Sequence, residues 1–272
     1  MSAYGGHERR GIPYPGVGRP KGMKVGIVGM GYVGQAVARA CYGHEIVAVD
    51  NETSFGGNDG MRLPAWRLVD EWGDRVNECE IVFVCVPTPT KDNGIVNTTA
   101  VGEVLSWLDA PLIVIRSTMS DEYYKHANTV YQPEFIGESP FAPWREETDV
   151  SLVVAAGEKA QEVLDFWKPI LGPRVAYIAT DWRTASEIKY AINCHGAVKA
   201  AWWREFLSAC ANPDEVRNAV MAIPWIDPYH TLPIGDGVGG KCFPKDLKAW
   251  VGAHGGQIGT SALAQMDVVS SK

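Results

Sequence analysis

Three glycines in the run Gly29-Met30-Gly31-Tyr32-Val33-Gly34 stand directly after the β-branched stretch Lys24 to Val28 and directly before a helical pattern, Gln35 to Tyr42. In that setting each glycine has a physical task. Gly29 permits a tight turn, Gly31 lets the backbone approach a pyrophosphate, and Gly34 lets helix and strand pack closely. The helix N-terminus, with Tyr32 and Val33 beside it, is then aimed at the phosphates of a dinucleotide. A second β-branched stretch, Glu45 to Val49, ends in Asp50, about 20 residues beyond the turn, where a carboxylate accepts hydrogen bonds from an adenosine ribose. Negative charge there repels a 2′-phosphate, and no arginine follows until Arg62. NAD is therefore expected in preference to NADP.

A second chemical site is indicated near the other end of the chain. Cys242 lies between Lys241 and Lys245, and Pro244 suits the first turn of a helix through Leu247 to Val251. Positive charge and a helix N-terminus both lower the pKa of a thiol and favour the nucleophilic thiolate. The remaining cysteines, Cys41, Cys79, Cys85, Cys194 and Cys210, lack such surroundings and read as small buried hydrophobes in a reducing compartment. No two cysteines are spaced as CxxC, so no metal site is expected. Lys189 and Asn193, one helical turn apart, share a face and can direct two donors at one oxygen, although such a pair alone is more often a solvated helix face.

These residues need a scaffold. Short apolar runs alternate with helical patterns from Met23: Lys24 to Val28, Glu45 to Val49, Ile81 to Val86, Leu112 to Arg116, Leu152 to Ala155 and Val175 to Ile178. Runs of that kind suit strands buried on both faces, so the fold class is α/β, a Rossmann-type doubly wound parallel sheet. Residues 1–22, rich in Gly and Pro, are expected to be a flexible arm. Residues 23–180 are expected to form the cofactor domain. Residues 181–272 are expected to form a helical region, with Thr184-Ala185-Ser186-Glu187 as a capping box ahead of a helix from Ile188 to about Ala211. A helix of that length can carry the interface of a homodimer.

The chain has 272 residues and a net charge of −7, from 25 basic and 32 acidic residues. That field disfavours nucleic acid and anionic membrane as partners and points to a small-molecule substrate. No apolar stretch reaches the length of a membrane span and no signal peptide is expected, so the cytoplasm is the expected location. The ten tryptophans read first as core and subunit contacts, with Trp144 the one most compatible with a substrate role.

Gly237-Val238-Gly239-Gly240-Lys241-Cys242-Phe243-Pro244-Lys245-Asp246 resembles the active-cysteine signature of the UDP-glucose/GDP-mannose dehydrogenase family. The resemblance runs in order from about Met23 to Leu263, through Val86-Pro87-Thr88-Pro89-Thr90, Arg116-Ser117-Thr118, Pro133-Glu134-Phe135-Ile136-Gly137-Glu138 and Glu187-Ile188-Lys189 with Asn193. It implies NAD-dependent oxidation of a sugar nucleotide's primary alcohol to a uronic acid, with Cys242 forming a thiohemiacetal and then a thioester. It further implies that Lys189 and Asn193 stabilise the oxyanion and that Thr118 and Asp246 position a water for proton removal. Glu134 and Glu138 would serve thioester hydrolysis and substrate binding, and Pro87, Thr88 and Thr118 would lie on the nicotinamide side. The sequence departs from the family where Tyr229 replaces a common arginine, and the Pro and Gly usual after Ser117-Thr118 are missing. The family's C-terminal nucleotide-binding domain is expected to be absent. A two-electron 3-hydroxy-acid-type dehydrogenase, and an inactive NAD-binding assembly subunit, stand as alternatives.

Overall fold

A computed structural model describes residues 22–50, 67–68, 74–91, 94–119, 127–137, 144–227, 229–231 and 242–270. The arm expected over residues 1–22 lies outside these except for Gly22, as do Glu138, Lys241 and the glycines of the cysteine signature.

Among the described residues, eight strands form one sheet: β1 Lys24–Val28, β2 Glu45–Val49, β3 Arg67–Leu68, β4 Ile81–Val84, β5 Ile113–Ile115, β6 Thr129–Tyr131, β7 Leu152–Ala156 and β8 Ala176–Thr180. Their order is β3-β2-β1-β4-β5-β6-β7-β8, parallel throughout except where β6 meets β7. Each run expected as a strand overlaps one, but Cys85, Val86, Leu112, Arg116 and Val175 fall outside the strands, and β3 and β6 were not expected. Both are too short for an apolar run to announce them. β8, at the edge, is partly exposed, so the expectation of burial on both faces fails there.

Alternating side chains of the strands build a core on each face. On one, α1 (Tyr32–Ala40) and α4 (Ala160–Leu171) cover Val25, Ile27, Phe83 and Val114. On the other, α2 (Asp74–Asn77) and α3 (Thr99–Trp107) cover Val28, Val82 and Val84. Helix α1 begins three residues before the expected pattern, at the residue following Gly31.

The long helix α5, Trp182–Ser208, starts earlier than expected and is capped by Asp181 rather than by a box at Thr184. The Asp181 carboxylate accepts from Thr184 N at 3.0 Å and Thr184 Oγ1 at 2.7 Å, bonds that hold its carboxyl below the usual carboxylate range. Glu187, expected to close the box, pairs instead with Arg183 at 2.9 Å. Trp182 stacks on Tyr131 at the end of β6, and Ser186 donates to Met119 O at 2.6 Å. Thus the first half of α5 runs across the ends of β5 and β6. Helices α6 (Pro213–Val220), α7 (Cys242–His254) and α8 (Gln257–Ser270) follow, and α5, α7 and α8 pack through Ala197, Ala200, Ala201, Leu247, Ala262 and Met266. α5 meets α7 at Gly196, where a Cβ would lie 2.5 Å from the Phe243 ring unless that ring moved.

One ion pair is enclosed in the first core. Arg116, 1% exposed, reaches Glu147, 2% exposed, at 2.6 and 2.8 Å, with the Trp167 ring 5.8 Å from the guanidinium carbon. Burial pushes the Glu147 carboxyl up, and Arg116 only partly reverses this. Removing one partner of such a pair strands a buried charge. Glu147→Ala is therefore expected to lower unfolding free energy by about 3–5 kcal/mol in urea denaturation; an unchanged midpoint would contradict it.

Candidate active site

The glycine turn is built as its sequence requires. Gly29 has φ +92°, and a Cβ there would fall 2.7 Å from Cys85 O; a Cβ at Gly34 would fall 2.0 Å from Gly29 O. At Gly31, the N-cap of α1, a Cβ would meet nothing within 4 Å, so the open side of the turn is where a pyrophosphate fits. Tyr32 and Val33 open the helix there. Asp50, at the end of β2, turns its Oδ2 onto Met30 N at 2.5 Å, so it also secures the turn. These residues fit a dinucleotide.

The side chain of Tyr32 does something the motif does not encode. Its hydroxyl donates to Gly137 O at 2.5 Å and lies 3.3 Å from Arg145 O, while Arg39 of the same helix pairs with Glu146 at 2.6 Å. Helix α1 is thereby fastened to Gly137 and to Arg145 and Glu146.

Two loops flank the turn. Beyond β4, Pro87 is exposed and Thr88 buried. Beyond β5, Ser117 Oγ donates to Val86 O at 2.6 Å and Met119 N to the Tyr131 hydroxyl at 3.3 Å. Thr118, half-buried, is held between these two anchored neighbours.

The helical residues converge on a buried polar cluster. Lys189 Nζ donates to Glu134 Oε1 at 2.5 Å and to Glu134 O at 2.7 Å, and Ile136 N donates to Glu134 Oε2 at 2.9 Å. Asn193 Nδ2 donates to Asp246 Oδ2 at 2.6 Å, and Lys245 pairs with the other oxygen of Asp246. Asp246 is 0% exposed. Cys242 is the first residue of α7, one turn before Asp246, and is half-buried. The solvated-face alternative for Lys189 and Asn193 does not apply, since both are buried.

Burial lowers the Lys189 pKa, but Glu134, then Asp246, and further down a Cys242 thiolate, more than offset it, so the net direction is up. Lys189 is consequently an ammonium at neutral pH. It can donate hydrogen bonds and hold negative charge, and it is not a base. Lys245, read from sequence as part of the electropositive flank of Cys242, has Asp246 as its partner.

An aromatic row leads away from the cysteine. Phe243 meets His230 at 4.9 Å between centroids, and Trp144 meets Tyr229 at 4.5 Å and His230 at 6.0 Å. His230 has φ +60°, a conformation uncommon for a side-chain-bearing residue. Burial, then Lys199, lowers its pKa, which keeps the imidazole neutral. Sequence reasoning singled out Trp144 and Tyr229 but not His230, whose strained backbone leaves no mark in composition. Among the described residues, no group of three or more His, Cys, Asp or Glu is gathered as for a metal ion, and no helix is long and apolar enough to cross a membrane.

Residues 183–265 match the central domain of the UDP-glucose/GDP-mannose dehydrogenase family. A UDP-glucose 6-dehydrogenase of Rickettsia felis is 25% identical over 268 residues, covering 84% of this chain and 60% of its own length. The chain spans about three fifths of the length of the curated relatives it matches. The solved UDP-glucose dehydrogenase of Pyrobaculum islandicum superposes with a TM-score of 0.74 at 20% identity, covering 93% of this chain and 70% of that one. The 3-hydroxyisobutyrate dehydrogenase of Mycobacterium tuberculosis gives 0.58 at 16%, covering 92% and 94%. At those identities the two structures speak for the fold alone, which is that of Rossmann-type dehydrogenases.

Proposed function

We propose, taking the likeness of this chain to the UDP-glucose/GDP-mannose dehydrogenase family as the premise, that it is an NAD-dependent dehydrogenase oxidising a sugar nucleotide of the UDP-glucose kind to its uronic acid. The observation that carries the reading is the buried convergence of Lys189, Glu134, Asn193 and Asp246, the last of them one helical turn from Cys242. Buried charges are costly to maintain, and a cluster of them beside a thiol at a helix start suits a site of reaction. In this reading Gly29, Gly31, Tyr32, Val33 and Gly34 hold the pyrophosphate, Asp50 the adenosine ribose, and Pro87, Thr88 and Thr118 the nicotinamide side. NAD, when bound, accepts the hydride in each oxidation.

The chain's own groups supply the rest. Oxidation of the alcohol needs a base for the hydroxyl proton, and the family's pattern gives this to a water held by Thr118 and Asp246. Lys189 and Asn193 donate toward the same oxygen as it gains charge, the electrostatic contribution that dominates such steps. Asp246, by accepting from Asn193, fixes which way that amide points. The Cys242 thiolate then adds to the aldehyde carbon to give a thiohemiacetal, whose oxidation leaves a thioester. Water, activated by Glu134 or Glu138, releases the acid and returns the thiol.

In this reading residues 23–180 serve the cofactor and residues 181–272 carry the cysteine. We place the enzyme in the cytoplasm as a homodimer, its interface including the exposed side of α5, where Trp202 stacks on Phe206 at 5.1 Å.

The test supplies NAD with a panel of sugar nucleotides and measures NADH formed per substrate consumed, with product mass. About two NADH per substrate, with an acid as product, is the expected result. A ratio of about one, with no acid, would favour the two-electron dehydrogenase, in which Lys189 and Asn193 act without Cys242. NAD binding with no turnover on the whole panel would favour the assembly subunit.

A further inference from the structure

The cofactor loop and the catalytic helix belong to parts of the chain separated by more than a hundred residues, yet they are joined directly. After Pro87 and Thr88, the arms 89–91 and 94–97 pair back to back. Thr90 and Val96 form an antiparallel bridge, Lys91 N donates to Ile95 O at 2.8 Å, and Asn97 N donates to Pro89 O at 2.7 Å. Both arms then lie on α7. Thr90 Oγ1 donates to Lys245 O at 3.1 Å, in the first turn of the helix that Cys242 begins. Gly94, at φ +81°, comes so close that a Cβ would stand 3.2 Å from Lys248 O and 3.3 Å from Gly252 Cα. Val96 is buried against Tyr190 of α5 and Ala249 of α7.

We propose that this paired segment registers the cofactor half of the site against the catalytic helix, with Thr90 as a positioning residue. Thr90 is two residues from Thr88 on one side. On the other it bonds the carbonyl immediately before Asp246 and three residues after Cys242. The hydroxyl thus ties the loop expected beside the nicotinamide to the turn carrying both the thiol and the carboxylate that orients Asn193. Burial of Val96 and the Gly94 contact resist separation of the two parts. The Thr90 bond resists sliding along the helix axis, because a hydroxyl fixed to one carbonyl cannot shift by a fraction of a turn without breaking. Reacting groups must be held within a fraction of an ångström, so a register error of about 1 Å costs on the order of 100-fold in rate.

The inference rests on the cofactor site proposed above, and its test does not depend on turnover. Cys242 in the full-length protein is alkylated with iodoacetamide over a range of pH, with and without saturating NAD, and its modification is followed by peptide mass to separate it from the other cysteines. In the parent, NAD is expected to slow Cys242 alkylation several-fold. Thr90→Val, which keeps the shape and removes the donor, is expected to bind NAD within about twofold of the parent affinity. It should show the same pH dependence of alkylation without NAD, yet lose most of the protection that NAD gives. Thr90→Ser should restore that protection. A merely structural role would move the pH profile and the NAD affinity together. The proposal is overturned if NAD leaves Cys242 unprotected in the parent, if Thr90→Val keeps full protection, if its NAD affinity collapses, or if Thr90→Ser behaves as Thr90→Val. A parent that protects Cys242 but turns over no sugar nucleotide would sink the proposed activity while leaving the registering role of Thr90 in place.

Discussion

Replacing Cys242 with alanine is expected to end acid formation while leaving slow conversion of the alcohol to the aldehyde. An aldehyde is a poor source of hydride, whereas the tetrahedral adduct of a thiolate is a good one, so in the proposed mechanism the sulfur belongs to the second oxidation and not to the first. The groups needed for the first step are held without it. Lys189 is fixed by Glu134 and Asn193 by Asp246, through bonds in which the thiol takes no part. Only the start of α7 loses a side chain, and Cys242 is half-buried, so the fold should tolerate the change. NADH per substrate is expected to fall from about two to about one or to nothing, and the uronic acid should vanish from the product mass spectrum. Undiminished acid production by Cys242→Ala would remove the covalent relay from the mechanism.

The second large effect is expected at Lys189. Lys189→Met removes the ammonium that donates twice to Glu134 and leaves that buried carboxylate with the Ile136 amide. Two losses should follow and can be separated. Stability should fall by about 3–5 kcal/mol, the cost of an uncompensated buried charge. Turnover should fall by about 100- to 1,000-fold, the range for losing a preorganised oxyanion donor. Adding Glu134→Gln should recover much of the stability and none of the turnover. The pH dependence has a definite sign. Because the folded-state pKa of Lys189 lies above the ordinary 10.5, its contribution is fully present below that value and is lost only as pH rises through the folded value. On the alkaline side, the stability gap between parent and variant, from urea denaturation, should therefore hold from neutrality upward and narrow only in strong alkali. A gap that closes near neutrality would mean that Lys189 is not held as an ammonium.

How much of this was legible in the sequence differs by element. β1, the glycine turn and β2 could be read because a buried parallel strand is a continuous apolar run and the turn needs glycine at fixed positions. β3 and β6, of two and three residues, could not, since so short a strand has no period. The cap of α5 was misplaced for a local reason. Thr184 can cap a helix itself, but its hydroxyl donates to Asp181, and the cap sits three residues sooner.

In the site, Lys189, Asn193, Asp246 and Cys242 were named from motifs, while their pairing was not. Spacing puts Lys189 and Asn193 on one face but is silent on the carboxylates that arrive from the segment following β6 and from α7. Sequence spacing sets Lys245 near the thiol, and nothing in a string of residues distinguishes support for a thiolate from an ion pair with its own neighbour. The hydroxyls of Tyr32 and Thr90 were beyond reach of spacing altogether, because their acceptors lie 105 and 155 residues away.

That separation has a kinetic consequence. Strands β1 and β2 join residues about 20 positions apart, so the inner half of the dinucleotide turn is assembled from nearly local contacts. Its outer half is closed by Tyr32 on Gly137 and Arg39 on Glu146, across loops of 105 and 107 residues. Contacts between distant residues carry the larger loop-closure entropy and dominate the slow part of folding. During refolding the central strands can thus be in place well before helix α1 is locked against the returning chain. The proposed capacity to hold a dinucleotide is therefore expected to develop later in refolding than the pairing of β1 with β2.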